Sequence, residues 1–306
     1  MKKIYLLLVI AISAFTTDVS AQAKGTIIKL ENVKSKHVAP RNVEIYLPSV
    51  YFTEPKRRFP VLYMQDGQNV FNSETAGYGI AWEAGRAADS LINSGKVQPF
   101  IIVAAWNTIN TRYMEYFPEK AFNYFKPEDK KTIDDLAISM GVEPNWLADE
   151  YLKFIVEELK PYIDQSYNTL TDQINTAICG SSMGGLISMY AISEYPGVFG
   201  QAACISTHWP VLFDNTNMGP SQAVRDYMAK KLPSPKNHRI WFDYGTATLD
   251  QYYEVHQKMV DEMMKNKGYK FGLNWETRKY EGAEHNEKAW QKRFGDILTF
   301  LYAKNK

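Results

Sequence analysis

From residue 26 onward, short apolar blocks alternate with longer stretches in which apolar positions recur every three or four residues. The short blocks cover 26–33, 43–47, 60–65, 100–105, 176–179, 202–206, 240–244 and 275–280, and they have the length and composition of β-strands. The first two flank a polar segment containing Pro40 and predict an antiparallel hairpin. The longer stretches, 81–94, 146–166, 183–195, 249–267 and 286–303, carry the helical period. Strands alternating with helices predict an α/β fold with a mostly parallel sheet covered by helices on both faces. No internal repeat or Gly/Ser linker interrupts this order, so residues 22–306 read as a single domain.

Two segments break the alternation. Residues 108–144 carry Tyr113, Tyr116, Phe117, Phe122, Tyr124 and Phe125 among charges, and residues 210–238 carry Pro210, Pro220, Pro233 and Pro235. Both are expected as long irregular connections. They serve either as lids and binding loops or as coverings pinned to the body by their aromatic rings.

The extreme N-terminus has a different character. Lys2 and Lys3 precede an apolar run over 4–15, and Val19-Ser20-Ala21 supplies the small residues of a cleavage site. Residues 1–21 therefore read as a signal peptide, with the mature protein expected to be periplasmic or secreted. A run this short does not cross a hydrocarbon core of about 30 Å, so no stable membrane insertion is expected after cleavage. The whole chain carries 35 Lys and Arg against 34 Asp and Glu, a formal charge of +1. Loss of Lys2, Lys3 and Asp18 with the leader brings that charge to zero, which leaves no electrostatic footprint for nucleic acid. Two cysteines, Cys179 and Cys204, are too few for a disulfide scaffold, and their predicted places in neighbouring strands argue against a bridge.

Chemistry concentrates at Gly180-Ser181-Ser182-Met183-Gly184, a G-x-S-x-G pattern between a predicted strand and a predicted helix. That setting defines a nucleophile elbow, with Ser182 at the bend and the Met183 N–H at the helix start available to an oxyanion. A serine hydroxyl needs a base. Of the five histidines, His37, His238 and His256 fall before a strand or inside a helical stretch. His208 and His285 follow strands and so lie at the carboxyl edge of the sheet, where functional groups of open α/β sheets collect. The chain order Ser, acid, His selects His285 as base. His208 and the adjoining Trp209 are then expected to line the substrate pocket. The acid is expected in the loop after the seventh strand, as Asp250, with Asp243 inside that strand as its rival. The turn Asp66-Gly67-Gln68-Asn69, after the third strand, is the candidate second oxyanion donor, through the Gln68 N–H. Neither the histidines nor the cysteines have the paired spacing of a zinc site, and no metal or cofactor is expected.

With these pieces in place, the sequence resembles the putative-esterase family of α/β hydrolases, which includes enterochelin, feruloyl and acetyl-xylan esterases, S-formylglutathione hydrolases and mycolyl transferases. The likeness runs from about Gly25 to Ala303. It is carried by Leu62-Tyr63-Met64-Gln65-Asp66-Gly67-Gln68-Asn69, the elbow, Tyr244-Gly245-Thr246, and Gly282-Ala283-Glu284-His285. It implies the α/β-hydrolase fold, a Ser182–Asp250–His285 triad, and Gln68 and Met183 as backbone oxyanion donors. The family often places the acid soon after the Gly-Thr pair, whereas here Ala247-Thr248-Leu249 intervene. The expected activity is hydrolysis of a carboxylic ester through an acyl-enzyme, on a small-molecule or polysaccharide-linked substrate such as a feruloyl or acetyl decoration. The alternatives are a siderophore trilactone esterase, an acyl transferase, and an inactive binding module on the same fold.

Overall fold

Eight strands form one sheet in a computed structural model that describes residues 23–304. The predicted signal peptide, 1–21, lies outside the described residues. The strands are β1 (Thr26–Val33), β2 (Arg41–Leu47), β3 (Val61–Met64), β4 (Ile101–Ala105), β5 (Thr176–Ser181), β6 (Gln201–Ile205), β7 (Arg239–Tyr244) and β8 (Trp275–Lys279). Their spatial order is β1-β2-β4-β3-β5-β6-β7-β8. β1 pairs antiparallel with β2, and β2 antiparallel with β4, while every other pairing is parallel. The mostly parallel α/β architecture expected from the alternation is present, with each strand boundary moved by at most two residues.

Alternate side chains of the central strands enter two separate cores. On one face, Val61, Tyr63, Ile178, Ala202, Cys204 and Phe242 pack beneath the helices Ala148–Lys153, Met183–Glu194, Gly219–Lys231 and Tyr253–Asn266. On the other, Leu62, Met64, Cys179, Ala203, Ile205 and Trp241 meet the helices Ala84–Asn93 and Glu287–Tyr302. This double burial is why the middle strands read as unbroken apolar runs. It also settles the cysteines. Cys179 pairs in register with Ala203, one residue away from Cys204, so the two thiols project to opposite faces and both are free.

Within the stretch 146–166, residues 148–166 form one continuous helical run with a π-helical turn at Phe154–Leu159. Pro161 explains the turn: it lacks an N–H, and its ring would clash with the carbonyl four residues earlier in a regular α-helix.

The two irregular segments need correction. Residues 108–144 contain the helices Arg112–Tyr116 and Pro127–Ser139 and the 3-10 turn Glu119–Tyr124, and residues 210–238 contain the helix Gly219–Lys231. A proline sits in the first turn of both longer helices, where its missing N–H costs nothing. All of these aromatics except the exposed Tyr124 pack inward rather than form an open lid. Phe117 stacks on Phe122 with centroids 4.9 Å apart, and both rings touch Trp146. A buried bidentate pair, Arg41 to Glu115 at 2.8 Å through both nitrogens, ties the segment to β2. Among the described residues no helix is long and apolar enough to cross a membrane.

Candidate active site

Ser182 stands between β5 and the helix Met183–Glu194 with φ 58° and ψ −121°, a backbone state that costs a non-glycine residue strain. Surrounding bonds hold it there. Its N–H donates to the Ile205 carbonyl at 2.9 Å, and its carbonyl accepts from Gly185 and His208 N–H at 3.0 and 3.2 Å. The bend requires glycine at position 180, because a Cβ there would lie 2.6 Å from the Gly184 carbonyl oxygen. The Met183 N–H heads the helix and belongs to the first turn, whose amides lack partners inside the helix.

His285 lies in the loop between β8 and the helix Glu287–Tyr302. Its Nε2 is 2.9 Å from Ser182 Oγ, and its Nδ1 is 2.5 Å from Asp250 Oδ1. The ring is wedged edge-on between Tyr253 and Trp290, with centroids 5.5 and 5.0 Å away. The His285 N–H donates to Thr248 Oγ1 at 2.8 Å, so the intervening Ala247-Thr248-Leu249 stretch helps hold the imidazole. Asp250 is 1% exposed, and its Oδ2 accepts from Gly245 N–H and Ser206 Oγ–H, each at 2.5 Å. Burial would push its pKa up, yet the hydrogen bond and charge of His285, with those from Ser206 and Gly245, hold it below the usual aspartate value.

The rival Asp243 is turned away from the histidine. It pairs with Arg293 at 2.9 Å and accepts from Ser206 N–H at 3.1 Å and Trp241 Nε1–H at 2.7 Å, and its burial pushes its pKa up.

Gln68 occupies a short 3-10 turn, Gly67–Asn69, after β3. Gly67 permits it: a Cβ would sit 2.6 Å from the Ala104 carbonyl oxygen. The preceding Asp66, at φ 55°, is clamped by Arg112 through two bonds of 2.7 Å and by Asn107 at 2.6 Å. Ser182, His285 and Gln68 share a cavity of about 700 Å³, whose walls include Arg112 and the exposed side chains of Tyr78 and Ile109. A larger depression of about 910 Å³, lined by Lys24, Phe71 and Arg86 among others, contains none of these groups.

Two expected pocket residues are misplaced. Trp209 is 1% exposed, packs on Phe242, and spends its indole N–H on Gln257 at 2.8 Å. His208 is likewise buried, with Nδ1 bonded to the Tyr253 hydroxyl at 2.8 Å. Burial, reinforced by His285, pushes its pKa down to about 3. Beyond the strand end the chain dives under the site instead of over it, so neither residue faces the cavity. In the other direction, the sequence reading missed Ser206, Arg293 and Tyr253. Ser206 directly follows a parallel strand and Tyr253 follows Asp250 by three residues, both legible hints; Arg293 carries no local signal.

The doubly covered sheet, with its elbow serine at the carboxyl edge, defines an α/β hydrolase. More narrowly, the chain belongs to the family described as putative esterase, whose model matches residues 38–301, and it is a carboxylic ester hydrolase by that membership. Uncharacterized protein YbbA of Bacillus subtilis (strain 168) is 24% identical over 283 residues, covering 89% of this chain and 97% of its own. An endo-1,4-beta-xylanase/feruloyl esterase of Xylanibacter ruminicola is 26% identical over 265 residues, which is 86% of this chain but 29% of that longer protein. Among solved structures, a ferulic acid esterase superposes with a TM-score of 0.65 at 18% identity, covering 92% of this chain and 98% of that one. At that identity the structural likeness speaks for the fold.

Proposed function

We propose that this protein is an exported serine esterase that removes feruloyl- or acetyl-type acyl groups from carbohydrate or related conjugates. The observation that carries the reading is the unbroken chain Ser182 Oγ, His285 Nε2, His285 Nδ1, Asp250 Oδ1, with links of 2.9 and 2.5 Å, opening into the cavity. Ser182 Oγ attacks the ester carbonyl carbon while its proton passes to His285 Nε2. Asp250 holds the imidazole with Nδ1 protonated and stabilises the imidazolium. The Met183 and Gln68 N–H groups receive the tetrahedral oxyanion. Collapse breaks the bond to the alcohol oxygen, which leaves with the proton from Nε2. Water then gives a proton to the same nitrogen as its oxygen attacks the acyl-enzyme, and release of the acid returns that proton to Ser182.

A cavity of about 700 Å³ with Tyr78 and Ile109 on its wall is far larger than an acetyl group and favours a bulky, partly aromatic acyl moiety. The xylanase/feruloyl esterase relative points to the same substrate class.

Labelling with a fluorophosphonate, together with turnover of methyl ferulate, acetylated xylan and a catecholate trilactone, tests the reading. Labelling confined to Ser182, abolished by Ser182→Ala, and preferred turnover of the ferulate are the expected results. No labelling of the folded protein would support an inactive binding module, and preference for the trilactone would move the substrate to siderophores.

A further inference from the structure

Behind Asp250 lies a second buried tier, of which Trp290 also lines the cavity. Ser206 follows β6 at φ 37° and is fully buried. Its Oγ meets three partners: Asp250 Oδ2 at 2.5 Å, Arg293 Nη2 at 2.5 Å and Trp290 Nε1 at 3.1 Å. The direction of these bonds follows from chemistry. A guanidinium and an indole N–H only donate, so they occupy the lone pairs of Ser206 Oγ. The one remaining hydroxyl proton has a single destination, the carboxylate of Asp250. Arg293 is fixed in turn by Asp243, 2.9 Å from the same Nη2, and its guanidinium lies over the Tyr280 ring at 4.9 Å. Asp243 spends its own charge on Arg293, which explains why the nearer-looking acid in the strand is unavailable to His285.

We propose that Ser206, polarised by Arg293, is a positioning residue for Asp250: it commits the carboxylate's second oxygen so that the first is aimed at His285 Nδ1. The proposal rests on the Ser182–His285 chemistry proposed above. Without the hydroxyl, Oδ2 keeps only the Gly245 N–H, the carboxylate is free to swing, and its less satisfied charge draws harder on the imidazole proton. Of the other groups around His285 and Asp250, Tyr253, Glu287 and the neutral His208 make no bond to Ser206 Oγ, Asp243 keeps the Ser206 N–H, and Trp290 Nε1–H loses its acceptor.

The test uses Ser206→Ala and Ser206→Gly in the full chain, the glycine variant because its backbone accepts the positive φ and preserves folding. Measurements are kcat and KM for p-nitrophenyl acetate across pH, and the His285 titration midpoint by NMR. Expected is a roughly tenfold fall in kcat at unchanged KM, together with a His285 midpoint raised by about half to one pH unit. An unchanged kcat, or a loss of kcat with an unmoved midpoint, in a folded variant overturns the proposal in favour of a packing role. If the wild type fails to turn over esters, the esterase reading falls, and the NMR midpoint alone decides this one.

Discussion

Asp250 Oδ1 lies 2.5 Å from His285 Nδ1, a contact across 35 residues that Asp243, in the strand beside it, does not make. Two buried aspartates thus stand close together with different partners, one on an imidazole and one on a guanidinium. Their substitutions should separate cleanly.

Asp250→Asn should lower kcat by about 10³- to 10⁴-fold, because an amide there no longer fixes the imidazole tautomer. Asp243→Asn should retain kcat within about tenfold but lose roughly 3–5 kcal/mol of stability, since Arg293 is left as a buried, unpaired charge. Steady-state kinetics and denaturant unfolding of both variants check the pattern. The opposite pattern would make Asp243 the acid.

Specificity should reside in the exposed wall of the cavity. Tyr78→Ala combined with Ile109→Ala removes apolar surface beside Ser182 without touching Asp250 or His285. KM for methyl ferulate should rise about two- to tenfold, equivalent to about 0.5–1.5 kcal/mol of ring contact. Turnover of a simple acetate ester should stay near wild type. Equal effects on both substrates would place the acyl group elsewhere.

Acid sensitivity should come from two histidines outside the triad. Burial, with His285 second, takes His208 from the usual 6.5 to about 3, and burial, with Arg225 second, takes His256 to about 4. Between those values and 6.5 the unfolded chain binds protons that the folded chain refuses, so stability rises with pH across this window and falls as pH drops through it. Asp250, held below its usual 3.8, adds stability above that value that is lost only in stronger acid. Urea midpoints at pH 7 and 5 should therefore fall for the wild type and fall less for His256→Gln. Parallel slopes would refute the assignment to His256.

The strand order of chemistry was readable along the chain because each of its signals is local. The elbow at Gly180–Gly184 needs only a strand, a bend and a helix start, and His285 needs only to follow a strand. The two longer helices in 108–144 and 210–238 were not readable, because polar residues share their buried faces: Asp129 lies with Ile133 and Ala137 in one, and Ser221 and Arg225 lie with Val224 and Met228 in the other. His208 was placed correctly in order but wrongly in space. Following a strand puts a residue at the functional edge without saying whether the chain then turns over the site or beneath it.

Taken alone, the amino-acid order determined the alternation of strands and helices, the serine at the bend and the histidine near the C-terminal end, since short-range sterics and hydrophobic period dictate all of these. Only the tertiary structure decided between Asp250 and Asp243, put His208 and Trp209 into the core, and brought Ser206 and Arg293 behind the acid. Those outcomes depend on which buried group finds which partner across 35 to 87 residues, a pairing set by sheet order and close packing rather than by any neighbour in the chain.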